Sequence, residues 1–325
     1  MADTRVRQSG ITKKRKRVKK IGRLELVQMI ENVDIDDDLI AQFLEVDPNN
    51  SKAFDVAFKA KNVNILNLST AEDGILGSLN KRSRRKRLKR FHKRMGKKFD
   101  GIKVVSEGDS WFQYPIFLDD VIDNLNKNKD IAVRSLGYGG DWLANIFREA
   151  EYMRVLEEEQ PDVFLISGGG NDVVGNSRLS KMLHPFNPNR KATNYINEEG
   201  EQVLDDLRRL FFQVFDNLQK EFPKLPVITH GYDYAIPQKG SWLGAPMESI
   251  GIVDPVLKRL VMRNVMDRFN DMLQKLQKEF KNVHYVDCRN TMRTWASWHD
   301  ELHPKNAGYK KVAKKMEAKI RAVVK

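Results

Sequence analysis

From residue 102 onward the chain alternates between short apolar runs and longer amphipathic stretches. The short runs, at 102–107, 131–136, 162–167, 226–231 and 283–288, read as strands. The longer stretches, roughly 116–127, 142–158, 198–222, 254–280 and 305–322, carry the spacing of helices with one apolar face. This order predicts a three-layer α/β/α domain around a flavodoxin-like, mainly parallel sheet of five strands, because parallel neighbours need crossover connections. Ligands of such sheets bind outside the carboxyl ends of the strands, so a site is expected where the chain leaves the sheet.

Two connections are too long for simple turns. Residues 173–197 include His184-Pro185-Phe186-Asn187-Pro188-Asn189, and residues 232–253 include Pro237, Gly240, Trp242, Leu243, Gly244, Pro246 and Met247. Loops of this length are usually functional or disordered. Both leave strand ends and are expected to wall or cover the site.

Residues 1–100 have another character. They hold 25 Lys and Arg against 13 Asp and Glu, whereas the rest of the 325-residue chain holds 32 against 31, so the net charge of +13 lives almost entirely in this part. Lys13-Lys14-Arg15-Lys16-Arg17-Val18-Lys19-Lys20 predicts an exposed, disordered arm over 1–21, since repelling charges without apolar partners cannot support a core. A small basic helical region is expected over 22–100, ahead of the sheet domain at 101–325. Within it Leu24, Leu26, Val27 and Ile30, then Leu39, Ile40, Phe43 and Leu44, recur at near-helical spacing, with Asp36 to Asp38 at a helix start. A second basic run, Lys81 to Lys98, is interrupted by Leu88 and Phe91 and followed by Met95, which predicts a helix with one narrow apolar edge. The run reads as a solvated face with nonspecific attraction for anions. An anionic membrane surface, nucleic acid or an acidic protein would suit it, and no nucleic-acid-binding signature accompanies it.

Composition narrows the class. With 41% hydrophobic and 31% charged residues, and no uncharged apolar run near the roughly 20 residues of a membrane span, the chain reads as soluble. The basic residues 13–20 lead into Ile21-Gly22-Arg23 and not into an apolar signal segment, so the cytoplasm is the expected location. The single cysteine, Cys288, excludes an internal disulfide and a multi-cysteine zinc site, and at the end of a strand it reads as a buried, inert thiol.

The candidate chemistry lies in four segments: Gly108-Asp109-Ser110-Trp111, Gly139-Gly140-Asp141, Gly169-Gly170-Asn171-Asp172 and Asp300-Glu301-Leu302-His303. A serine hydroxyl is a poor nucleophile until a base takes its proton. His303 is the candidate base. Asp300, three residues earlier, can reach the imidazole across one tight turn, fix its tautomer and stabilise the imidazolium. Asn171 follows an apolar strand that opens into three glycines; a tight turn explains the glycines but not the amide. No Gly-Lys-Ser/Thr follows, which argues against a phosphate loop. His299 and His303 are four apart, but Pro304 argues against a helix there and no third ligand is placed to join them, so neither metal nor cofactor is expected. Asp109 and Asp172 are expected to orient their loops by hydrogen bonds.

Together these segments resemble the blocks of SGNH/GDSL hydrolases, over roughly residues 102–322 and not residues 1–100. The resemblance implies Ser110, Asp300 and His303 as catalytic residues. It also implies an oxyanion hole built from the backbone N–H groups of Ser110 and Gly140 and the side-chain amide of Asn171, with Gly139 the alternative to Gly140. The chain departs from the pattern at Asp141-Trp142 and in the size of its two long loops, which bears on substrate.

The leading reading is a metal-independent serine hydrolase that cleaves carboxylic esters through an acyl-enzyme. Lipid esters are the first substrate class to test, because the basic region could bring the enzyme to anionic lipid; acetylated sugars come second. One alternative is a metal-dependent phosphoesterase, which needs more ligands than the six histidines and their spacing supply. Another is a noncatalytic anion- or nucleic-acid-binding protein on a hydrolase fold, against which stands the fact that every site position is filled.

Overall fold

The computed structural model of the protein describes residues 21–47, 58–61, 72–96 and 98–324. Of the arm expected over 1–21 only Ile21 falls among them, and much of the region between 48 and 71 lies outside them.

The N-terminal region is less helical than its apolar spacing predicts. Helices α1 (Arg23–Glu31) and α2 (Asp37–Ile40) form where Leu26, Ile30 and Ile40 turn inward. Asp36 caps α2 by accepting the Asp38 N–H at 3.2 Å. Phe43 and Leu44 do not continue a helix. They lead into strand β1 (Leu44–Val46), which pairs antiparallel with β2 (Phe58–Ala60). A short apolar run fits either period, and here the distant partner Phe58, buried beside Leu44 in one apolar cluster, decides it.

The second basic run forms one long helix, α3 (Glu72–Met95), with two engaged flanks in place of one narrow apolar edge. Ile75, Leu79, Arg82, Lys86 and Lys89 follow helical spacing along the flank that meets the N-terminal elements; the three cations bind Asp37 or Asp34. Asn80, Arg84, Arg87 and Arg94 follow it along the flank that meets the sheet domain. The solvated-face reading therefore holds for Lys81, Arg85, Arg90 and Lys93, which are exposed, and fails for Arg82 and Arg87, which are buried. Arg82 gathers the carbonyls of Ile30, Asn32 and Ile35 at the end of α1, together with the Asp37 carboxylate. Carbonyls left over at a helix C-terminus are good acceptors for a guanidinium fork. Arg94 does the same for Asn126, Asn128 and Ile131. Guanidiniums engaged in this way are not available to a nucleic acid or a membrane surface.

The sheet domain follows the predicted order. Strand β3 (Ile102–Glu107) is followed by α4 (Val121–Leu125), β4 (Ile131–Ser135), α5 (Leu143–Glu149), α6 (Glu151–Glu159) and the central strand β5 (Val163–Ile166). Then come α7 (Gly170–Val174), α8 (Arg178–Met182), α9 (Glu198–Glu221), β6 (Val227–His230), α10 (Gly244–Ser249), α11 (Pro255–Leu276), β7 (Val283–Val286) and α12 (Asn306–Val323). The five strands form one wholly parallel sheet in the order β4-β3-β5-β6-β7, flanked by helices in the three-layer α/β/α arrangement. All four residues of β5 are buried, as expected for a parallel strand covered on both faces. Helix α3 packs along β4, an edge strand.

Two helix expectations need correction. Over 116–127 the helix begins only at Val121, where Asp120 accepts the Asp123 N–H at 3.0 Å; Ile116, with φ 56°, lies in the left-handed region. Over 142–158 there are two helices, divided at Ala150 with φ 44°. No helix among the described residues is long and apolar enough to cross a membrane.

From β3 the chain moves to one side for β4 and then to the other for β5. A crevice opens at such a switch, at the carboxyl ends of the two strands. Gly108-Asp109-Ser110 leaves β3 there, and Gly169-Gly170-Asn171 leaves β5.

Candidate active site

Ser110 sits in a single turn built by its neighbours. The Asp109 carbonyl accepts the N–H groups of Phe112 and Gln113 at 3.0 and 2.9 Å, and the Asp109 carboxylate accepts the Trp111 N–H at 3.0 Å. The same buried carboxylate takes hydrogen bonds from the Ser167 hydroxyl at 2.9 Å and from the Tyr232 hydroxyl, which ties the turn to β5 and β6. Gly108 is required by close approach, since a Cβ there would lie 2.7 Å from the Ser167 Cβ. Asp109 thus orients the loop, as expected.

Asp300 and His303 share one tight turn. Asp300 Oδ1 accepts the backbone N–H groups of Leu302 and His303, each at 2.8 Å, so the aspartate folds the turn that carries the histidine. His303 Nδ1 lies 2.9 Å from both carboxylate oxygens of Asp300, and His303 Nε2 lies 2.8 Å from Ser110 Oγ. Burial pushes the Asp300 carboxyl up, but His303 and the two N–H groups outweigh it and leave it below the usual carboxylate range. A carboxylate accepts only, so Nδ1 carries the proton and Nε2 faces the serine as an acceptor. The Trp111 indole donates to the Leu302 carbonyl at 3.1 Å, joining the serine and histidine loops. His299 is not on a helix with His303; its backbone N–H donates to the His303 carbonyl at 2.8 Å across the turn.

Gly140 occupies the third position of a turn closed by the Asp141 N–H donating to the Tyr138 carbonyl at 3.1 Å, with φ 91°. Such a turn needs positive φ there, which glycine supplies without steric cost. Asn171 lies in the first turn of α7, and its amide donates to the Asp141 carbonyl at 2.6 Å. That bond uses one of the two amide hydrogens and leaves the other for a ligand. Ser110 and Asn171 line one cavity, while Gly140 is linked to it through Asp141 and Asn171. Asp172 accepts the Leu143 N–H at 3.0 Å at the start of α5, and burial raises its carboxyl to about 6. Cys288 is buried away from this chemistry, with its thiol pushed up by burial.

The cavity beside Ser110 has an apolar wall of Val174, Ala235, Met262 and Met266. Val174 and Ala235 come from the two long loops, so both loops do wall the site. The second loop is held from the histidine side. Glu301, one of the unread positions of the Asp-x-x-His block, accepts the N–H groups of Gln238, Leu243 and Gly244 at 2.6, 2.9 and 2.9 Å, and of Gly240 at 3.2 Å. This seats Trp242 edge-on to the His303 ring, with centroids 5.9 Å apart, while Tyr114 flanks the ring at 4.8 Å. Glu301, Tyr114 and the two methionines carry no motif that would single them out in sequence.

Residues 103–311 match the model of the GDSL-like lipase/acylhydrolase family. Among solved structures the chain is similar to an extracellular lipase from Streptomyces rimosus, with 13% identity over 67% of this chain and 99% of that one and a TM-score of 0.45. It is similar also to a family 3 carbohydrate esterase from Clostridium thermocellum (16% identity, 70% and 100% covered, TM-score 0.43). A phospholipase A1 from Streptomyces albidoflavus is a third such structure (12% identity, 67% and 99% covered, TM-score 0.44). No curated protein sequence matches the chain. The family match covers nearly all of the sheet domain and stops short of α3, so the four segments and the strands that carry them fall within it. The protein belongs to the GDSL-like lipase/acylhydrolase family and is a hydrolase of ester bonds.

Proposed function

We propose that the protein is a serine hydrolase of carboxylic esters with short acyl groups, working through an acyl-enzyme. The observation that carries this reading is the chain of contacts from Ser110 Oγ to His303 Nε2 at 2.8 Å and from His303 Nδ1 to Asp300 at 2.9 Å. Ser110 Oγ attacks the ester carbonyl as its proton passes to Nε2. The carbonyl oxygen becomes an oxyanion, met by the N–H groups of Ser110 and Gly140 and the free hydrogen of the Asn171 amide. Collapse expels the alcohol, which takes the proton from His303. Water, deprotonated by His303, then attacks the acyl-enzyme; the carboxylic acid leaves and Ser110 regains its proton.

The size of the cavity supports a short acyl group. It gives ≈ 40 Å³ to the centre of a water molecule, room for about three waters. That suits an acyl group of two to four carbons within the cavity.

Fluorophosphonate labelling tests the nucleophile, with Ser110→Ala as control: labelling of the wild type and none of the variant is expected. An unlabelled but folded wild type would remove the assignment. A panel of p-nitrophenyl esters tests the acyl group, with kcat/KM highest at acetate to butyrate. Met266→Ala is expected to move the optimum to longer chains; an unmodified optimum at eight or more carbons in the wild type would contradict the short-acyl reading.

A further inference from the structure

We infer that Asn80, on a helix outside the family-matched residues, is a positioning residue of the oxyanion hole: it sets the direction of the Gly140 N–H by holding the peptide that joins Gly139 to Gly140. The inference rests on the proposal above that this N–H is an oxyanion donor.

Gly139 and Gly140 are the two central residues of the turn from Tyr138 to Asp141. The peptide between the central residues is the one whose orientation separates the common turn types, and two glycines remove most of the steric preference between them. In a planar trans peptide the Gly139 carbonyl and the Gly140 N–H point in opposite directions. Whatever fixes the carbonyl therefore aims the N–H.

Asn80 Nδ2 donates to that carbonyl at 3.1 Å, and Asn80 Oδ1 accepts the Gly139 N–H at 2.9 Å. One side-chain amide thus grips two successive peptides of the turn. Asn80 is wholly buried, so water does not compete for either bond. Its place is fixed in turn. The Asn80 carbonyl accepts from Gln113 Nε2 at 3.0 Å, and Gln113 Oε1 accepts from Arg87 at 2.8 Å. Gln113 lies three residues after Ser110, so the serine turn and the glycine turn are referred to the same helix. The grip also separates the two glycine candidates: the Gly139 N–H is taken by Asn80, which leaves Gly140 as the donor.

The test uses the full chain and a short p-nitrophenyl ester, with Asn80→Ala and Asn80→Asp. The aspartate keeps an acceptor for the Gly139 N–H but sets an oxygen against the Gly139 carbonyl, which disfavours the held orientation. Expected is a fall in kcat of about 10- to 100-fold, below the loss from removing a donor outright. KM should change less than threefold, and the larger fall should belong to Asn80→Asp. The phosphonylation rate of Ser110 should fall in parallel. A role confined to packing lowers the melting temperature and leaves kcat per folded molecule at the wild-type value, and that result overturns the inference. If Asn80→Asp does not fold, Asn80→Ser takes its place with the same two outcomes. Failure of the underlying hydrolase reading would show separately, as retained turnover in Ser110→Ala.

Discussion

Asp300 receives His303 twice, through Nδ1 on both carboxylate oxygens at 2.9 Å and through the backbone N–H at 2.8 Å. One residue therefore sets both the tautomer and the position of the base. Asp300→Asn would present an NH₂ group to Nδ1, favour the proton on Nε2 and leave Ser110 without an acceptor. By analogy with the serine protease triad, kcat should fall about 10³- to 10⁴-fold with KM little changed. Steady-state kinetics checks this, and a loss below tenfold would remove Asp300 from the mechanism.

Glu301 binds the second loop through four backbone N–H groups. Glu301→Gln replaces one acceptor oxygen by a donor and strands buried N–H groups, each costing about 1–3 kcal/mol. A stability loss of about 3 kcal/mol is expected in urea unfolding, with faster tryptic cleavage after the exposed Lys239. Unchanged cleavage at Lys239 would show that the loop is held by something else.

Glu107, buried at the end of β3, gives a pH dependence. Burial pushes its carboxyl up to about 8, against 4.5 ordinarily, although the Gly108 N–H pulls the other way. Between these values the folded protein keeps a proton that the unfolded chain has lost. Its contribution is therefore fully present below pH 4.5 and disappears as the pH rises to about 8. The loss should be roughly 5 kcal/mol. Glu107→Gln should flatten the profile in that window, as measured by denaturant unfolding at a series of pH values.

Arg87 serves five acceptors: the Phe112 carbonyl at 2.6 Å, Gln113 Oε1 at 2.8 Å, the Ser135 hydroxyl at 3.5 Å, and the carboxylates of Asp120 and Asp123. Burial disfavours its charge, but the two carboxylates more than compensate and hold it protonated. Arg87→Met leaves Asp120 buried without its cation and should cost about 3–5 kcal/mol. Adding Asp120→Leu should recover part of that loss. If the double variant is no more stable than the single, the stranded carboxylate is not the cause.

The strands, their order of appearance and the serine, asparagine and aspartate–histidine segments were legible because their signals are local. An apolar run of five residues or a motif of four can be read without knowing what it meets. What stayed hidden depends on distant partners. The basic residues between Lys81 and Lys98 look alike in sequence; only the end of α1 and the Asp120 carboxylate distinguish Arg82 and Arg87 from exposed Lys81 and Arg85. Leu44 enters a strand because residues 58–60 are there to pair with, Ala60 opposite Leu44 and Phe58 opposite Val46. The break at Ala150 carries no signal at all, since alanine is the strongest helix former. Asn80 carries no local signal either, because its partner is a glycine turn 59 residues away.

Helix α3 is gripped along two flanks, and this makes its length a fixed quantity. One residue added between Asn80 and Arg87 would rotate everything after it by about 100° and advance it by about 1.5 Å. Arg87 would swing away from Asp120, and Lys86 and Lys89 from Asp37 and Asp34, while Asn80 stayed behind. Side chains on the outward strip, at Lys81, Arg85 and Lys93, can change freely. The spacing between the inward ones cannot, so homologous helices should vary in composition there while conserving the seven-residue interval from the amide to the guanidinium.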